Sequence, residues 1–213
     1  SPSSHMLQTV SVSIWRYCPR RSEFLKNLEP SLVVMHSRYS LYLHGDGFDN
    51  GVGGVEHKGY LVGVDGKESY AERQLLLKKS IFEATNLLVN AGHKVLIVGG
   101  VPEIGWDPIQ RLLRIESIHH YGITDYEKVR KLMEIPLDNV RERQRAVTNI
   151  FADVLTEFPS VRYLDVLPLF CSNDSCSSVG LNREIYYSDI SHLSFEGSKK
   201  LVGKILRDHL GDN

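Results

Sequence analysis

The residues predict an α/β fold with a mostly parallel sheet and helices on both faces. Three short apolar runs, Ser31–Met35, Lys94–Gly99 and Val161–Val166, are rich in branched side chains and bounded by turn residues, so they read as buried strands. Each follows a stretch of helical periodicity. Strands that alternate with helices pair in parallel and bury both faces of their sheet.

The elements follow in order. A short helix over about Arg21–Leu28 precedes the first strand. The clearest helix runs from about Tyr70 to Asn90: Leu76, Leu77, Phe82, Leu87 and Leu88 fall near one face, and Ala91-Gly92 supplies the stop. A second runs from about Asn139 to Phe158 on Val140, Val147, Ile150, Phe151, Val154 and Leu155. A third runs from about Ser194 to Leu210 on Leu201, Val202, Ile205, Leu206 and Leu210. Two stretches read as irregular. His44–Gly66, rich in Gly and Asp, is expected to be a surface excursion with a hairpin around Gly59–Gly63. Ile115–Pro136 is expected to form a covering loop.

A chain of 213 residues is long enough for one domain with a sizeable core. Apolar residues make up 42% and charged residues 24%, the balance of a globular protein. A net charge of -1 gives no reason to expect a nucleic-acid partner. No apolar run approaches the roughly 18 residues that span a bilayer. Residues 1–6, ending Ser4-His5-Met6, read as a cloning remnant, which leaves 7–213 as a single domain.

Sites in parallel sheets lie beyond the carboxyl ends of the strands. The segments to search are therefore Ser37–Ser40, Val101–Asp107 and the region after Val166. The segment Tyr186–Ser194, just before the last helix, is a further polar loop. It carries Asp189 and His192 three residues apart. A carboxylate at that spacing can hold one imidazole nitrogen and leave the other as a general base, two thirds of a serine-hydrolase triad. The competing reading is a polar loop in which Ser194 caps the helix and His192 is merely exposed.

Arg38 and Ser40 follow the first strand and are candidates for oxyanion or substrate contact, since a guanidinium offers five fixed donors; a surface arginine is the plainer alternative. Trp106, between Glu103 and Asp107, is either a stacking wall for a sugar or packing over the sheet edge. His119-His120 has no third ligand in view and reads as a solvated loop. Gly99-Gly100 fits no phosphate-loop pattern. Neither a metal nor a cofactor is expected. Cys171 and Cys176 enclose a polar turn, either as free thiols or as a disulfide of an oxidising compartment. Cys18 is then a buried thiol or the partner of a cysteine lying elsewhere.

Four segments together resemble the SGNH-hydrolase-like domain found at the C-terminus of integral-membrane acyltransferase family 3 proteins. They are Leu32–Tyr42, where Tyr39 replaces the usual Trp of Arg-Trp-Ser; Lys94–Asp107; Leu169–Cys176 with its paired cysteines; and Tyr186–Gly197, which follows Tyr-x-Asp-x-x-His-Leu-Ser-x-x-Gly. The resemblance implies a flavodoxin-like SGNH domain beyond the cytoplasmic membrane. Its membrane partner would be an acyltransferase domain of the same polypeptide, and it would take part in O-acylation, usually O-acetylation, of a surface polysaccharide such as lipopolysaccharide. It implies catalytic roles for Asp189 and His192, a site-lining role for Arg38, and a Cys171–Cys176 disulfide. The family's Gly-Asp-Ser-His nucleophile block has no counterpart here, so the nucleophilic serine is expected upstream of Leu7. Two alternatives stand beside the transferase: an esterase with water as acceptor, and an inactive glycan-binding module.

Overall fold

The computed structural model describes residues 8–10, 19–56, 68–119 and 126–209. Ser4, Cys18, His120 and the hairpin expected around Gly59–Gly63 lie outside them. The chain divides into two compact units: residues 1–45, 60–100 and 144–165 form the first, and residues 46–59, 101–143 and 166–213 form the second.

The first unit is the parallel sheet and its helices. Strands β1 (Gln8–Val10), β2 (Leu32–Met35), β3 (Lys94–Val98) and β5 (Arg162–Leu164) pair in the order β1-β2-β3-β5, all parallel. Three of them fall in the apolar runs read from the sequence. β1 was not anticipated, because Gln8-Thr9-Val10 is too short and mixed to stand out. Strand order follows chain order, so every crossover steps the same way across the sheet.

Right-handed crossovers of that kind place their helices on one face. The packing agrees. Leu25 of α1 (Pro19–Lys26), Ile81, Ala84 and Leu88 of α3 (Tyr70–Asn90), and Val147, Phe151 and Val154 of α6 (Leu137–Glu157) share one core with Val33, Met35, Val95 and Ile97. The alternate residues Val34, Leu96 and Val98 are buried as well, so both faces of the sheet are covered. Each fully buried Leu, Ile or Phe contributes about 1.5–3 kcal/mol of transfer free energy.

The boundaries have local causes. Ser69 caps α3 in a capping box: its hydroxyl accepts from the Glu72 N–H, and the Glu72 carboxylate accepts from the Ser69 N–H at 2.7 Å. His93 closes the other end. Its Nε2–H donates to the Leu25 carbonyl at 2.7 Å, and its Nδ1 accepts from the Ser31 N–H at 3.1 Å. A short helix, α2 (Tyr39–His44), follows β2 and ends on Gly45 in the left-handed conformation.

The second unit holds α4 (Pro108–His119), α5 (Tyr126–Leu132), the antiparallel pair β4 (Glu134–Pro136) and β6 (Ser175–Ser177), the start of α6, α7 (Leu167–Phe170) and α8 (Phe195–His209). Ile115, Val129, Met133 and Val179 form its buried cluster. Much of Ile115–Pro136 is thus helix and strand rather than loop. Ile115, Val129 and Met133 are apolar at helical spacing, but residues 120–125 interrupt the pattern.

The stretch 46–56 is more than a surface excursion. Asn50 is fully buried, donates to the Ile104 carbonyl at 2.7 Å, and accepts from the N–H groups of Val52 and Gly54 at 2.9 Å. Arg143 fastens the same stretch. Its guanidinium donates to Glu103 Oε2 at 2.6 Å, Asp46 Oδ1 at 3.1 Å and the Asp46 carbonyl at 2.6 Å.

Candidate active site

The candidate site is built on a turn that the backbone itself closes. The Ser188 N–H donates to the His192 carbonyl at 2.9 Å, and Tyr187 and Leu193 form an antiparallel bridge. Asp189 Oδ1 accepts from the N–H groups of Ser191 at 2.7 Å and His192 at 2.8 Å, the local bonding for which Asp is favoured in turns. That leaves Oδ2 free to take the imidazole. His192 Nδ1 lies 2.8 Å from it. An ionised carboxylate only accepts, so Nδ1 carries the proton and Nε2 presents its lone pair. The His192 side chain is 76% exposed, so Nε2 is open to a reacting group.

Opposing influences act on the Asp189 carboxyl. Desolvation, the largest single one, pushes its pKa up. The two backbone N–H donors and the imidazole together outweigh it and hold the group below the usual aspartate range. The charged form that orients His192 is therefore the favoured one.

Ser194 caps α8, as the plainer sequence reading proposed, and the dyad forms as well. Its hydroxyl accepts from the Gly197 N–H at 3.2 Å and donates to the Ile185 carbonyl. Gly197 leaves no room for a side chain: an added Cβ would lie 2.1 Å from the Tyr186 carbonyl oxygen. Tyr187 anchors the segment from below. It is 1% exposed, and its hydroxyl donates to the Pro102 carbonyl at 2.8 Å.

The other sequence candidates fall as follows. Arg38 is the half-buried N-cap residue of α2, and Ser40 is buried in that helix's first turn; both belong to the first unit, whereas Asp189 and His192 belong to the second. Cys171 and Cys176 are disulfide-bonded. Glu103 is buried against Arg143. Trp106 is 8% exposed, with Arg111 stacked over its ring at 4.6 Å, so it packs rather than offering an open wall. Arg143 was missed, because an arginine inside an amphipathic helix normally marks the solvent face; Arg111 lies in α4, which the sequence reading did not assign. Among the described residues no serine, threonine or cysteine side chain hydrogen-bonds to His192 Nε2, and no group of three or more His, Cys, Asp or Glu could hold a metal ion.

Comparisons with known proteins bear on the family and the fold. The sequence model of the family described as an SGNH domain fused to AT3 domains matches residues 2–207. The chain belongs to the SGNH-domain family. No relative was found among curated proteins. Among solved structures, this SGNH domain is similar to a lipopolysaccharide acetyltransferase periplasmic domain from Salmonella ser. Paratyphi A, with 15% identity and a TM-score of 0.55. The match covers 89% of this chain and 60% of that structure, and at this identity the likeness is one of fold. In the SGNH domain described here, no helix among the described residues is long and apolar enough to cross a membrane.

Proposed function

We propose that this SGNH domain takes part in O-acyl transfer, usually O-acetyl transfer, to a surface polysaccharide, with His192 as general base and Asp189 as its orienting carboxylate. The observation that carries the reading is the 2.8 Å contact between Asp189 Oδ2 and His192 Nδ1, with Nε2 turned to solvent. A serine hydroxyl loses its proton to Nε2 as its oxygen attacks the acyl carbonyl. The bond to the donor's leaving group breaks, that group takes the proton, and a serine ester remains. A sugar hydroxyl then attacks the ester, Nε2 accepts its proton, and the proton passes to the departing serine oxygen.

The donor side is assigned to an AT3 membrane domain, on the strength of the family description. An extracytoplasmic location fits that assignment and the Cys171–Cys176 disulfide, which persists in oxidising compartments. The oxyanion or substrate roles of Arg38 and Ser40 rest on the resemblance alone. Reduced transfer in a folded Arg38→Ala variant is the outcome that supports Arg38.

The test is labelling with a fluorophosphonate, together with hydrolysis of para-nitrophenyl acetate. On a chain that carries the serine expected upstream of Leu7, the expected result is a stable serine adduct and a rate that falls by about 10²–10⁴ in His192→Ala. Labelling and turnover that persist in His192→Ala sink the mechanism. Glycan binding with no turnover at all favours the binding-module alternative.

A further inference from the structure

The turn that carries Asp189 and His192 is exposed, so its position is set by what holds its base. The two side chains are 45% and 76% exposed. Tyr186 and Tyr187 lead into the turn, and both of their rings meet the same side chain. Phe170 lies edge-on to Tyr186, with ring centres 5.6 Å apart, and is tilted against Tyr187 at 6.0 Å. Such pairs are directional, because the positive edge of one ring prefers the negative face of another. Phe170 and Tyr187 are both buried.

The rest of Tyr186 is held as well. Its N–H donates to the Ser178 carbonyl at 2.9 Å, and its carbonyl accepts from the Ser194 N–H at 2.9 Å. Lys200 Nζ lies 4.7 Å from the ring centre and donates to the hydroxyl at 3.2 Å.

Phe170 does not hold itself in place. It ends α7, a single turn of four residues, and one helical turn has little stability of its own. The next residue is Cys171. Its N–H closes that turn on the Leu167 carbonyl at 2.8 Å, and its sulfur is bonded to Cys176. Cys176 stands in β6 opposite Ile135 of β4. Ser178, two residues further on, is the acceptor for the Tyr186 N–H. The disulfide thus ties two supports of Tyr186 to one small sheet: the ring just before Cys171 and the carbonyl just after Cys176.

We propose that Phe170 is a positioning residue for the Asp189–His192 dyad, and that the Cys171–Cys176 disulfide locks it against the two tyrosines. This rests on the acyl-transfer reading for what the dyad does. Catalytic geometry is sensitive to such support, since a misplacement of about 1 Å can cost about 10²-fold in rate.

The experiment is long-range proton–nitrogen NMR of the imidazoles in the 213-residue chain, labelled with nitrogen-15, at about pH 8.5, above the ordinary histidine range. His192 is assigned by its loss in His192→Gln. The two nitrogens of a neutral ring give separate signals, so the ratio of Nδ1–H to Nε2–H forms is read directly. A ring held by Asp189 is mainly Nδ1–H, and Asp189→Ala sets the baseline for a ring that is not held. Phe170→Ala should lower the ratio about tenfold, Phe170→Leu should restore part of it, and the double variant Cys171→Ala/Cys176→Ala should move it the same way. Circular dichroism reports whether each variant is folded. Should Phe170→Ala not fold, Phe170→Leu and the cysteine pair decide. A ratio unmoved in folded Phe170 variants overturns the proposal, and leaves the dyad standing where Asp189→Ala does move it. A change with Phe170 and none with the cysteine pair overturns the part given to the disulfide. A native chain already at the Asp189→Ala baseline sinks the dyad reading itself, and this proposal with it.

Discussion

Asp189 shows how much one side chain does in the candidate site. One oxygen closes the turn through two backbone N–H groups, and the other holds the imidazole. Asp189→Asn keeps the turn's acceptor but replaces the charged partner of Nδ1–H, so the expected outcome is a fall in acyl-transfer rate of about 10²–10⁴ with the fold intact, read by steady-state kinetics beside circular dichroism. Tyr39 is the opposite case. Its ring packs edge-on to Phe151 at 5.0 Å, but its buried hydroxyl has no partner among the described residues. Removing that hydroxyl in Tyr39→Phe should leave stability unchanged or raise it by about 1–3 kcal/mol, measured as a shift in urea midpoint. A clear loss would mean the hydroxyl is bonded after all.

At the scale of elements, helix ends carry most of what was legible. Ser69 and Glu72 stand in capping-box spacing, and the helix starts at Tyr70 as expected. His93 was not singled out, because its partners lie far away in sequence: Leu25 and Ser31 are separated from it by more than 60 residues. The ring joins the end of α1, the entry to β2 and the turn before β3. His93→Ala leaves a buried carbonyl and a backbone N–H unpaired, so a loss of about 2–4 kcal/mol is expected by chemical denaturation. A loss below about 0.5 kcal/mol would show that water replaces the ring at no cost. The helices at Ile115–Pro136 escaped notice for another reason. They are short, and their apolar faces are satisfied by Val179 and Ile185, which come much later in the chain.

Stability of the whole chain should depend on pH through His36. Desolvation, only partly offset by the carbonyls of Val98 and Gly99, lowers its pKa below 6.5 in the folded state. The unfolded chain therefore takes up the proton first. The contribution is fully present above about pH 6.5 and is lost as pH falls through the folded value. Asp189, also held below its ordinary value, adds a loss that begins only near pH 4 and below. Urea midpoints measured from pH 8 to pH 3 should fall first just below 6.5 in the native sequence. That first limb should be missing in His36→Gln; parallel curves for the two proteins between pH 8 and pH 5 would refute the assignment.

The sequence by itself determined the alternation of strands and helices, the main helix boundaries, and the Asp189/His192 and Cys171/Cys176 pairs. All of these are set by periodicity or by partners a few residues apart, so short-range order suffices. Only the tertiary structure decided the strand order, the presence of β1, the burial of Trp106, and the pairing of Arg143 with Glu103 and Asp46. Strand order and charge compensation depend on groups tens of residues apart, and a linear pattern carries no information about which distant carboxylate, if any, will meet a buried guanidinium.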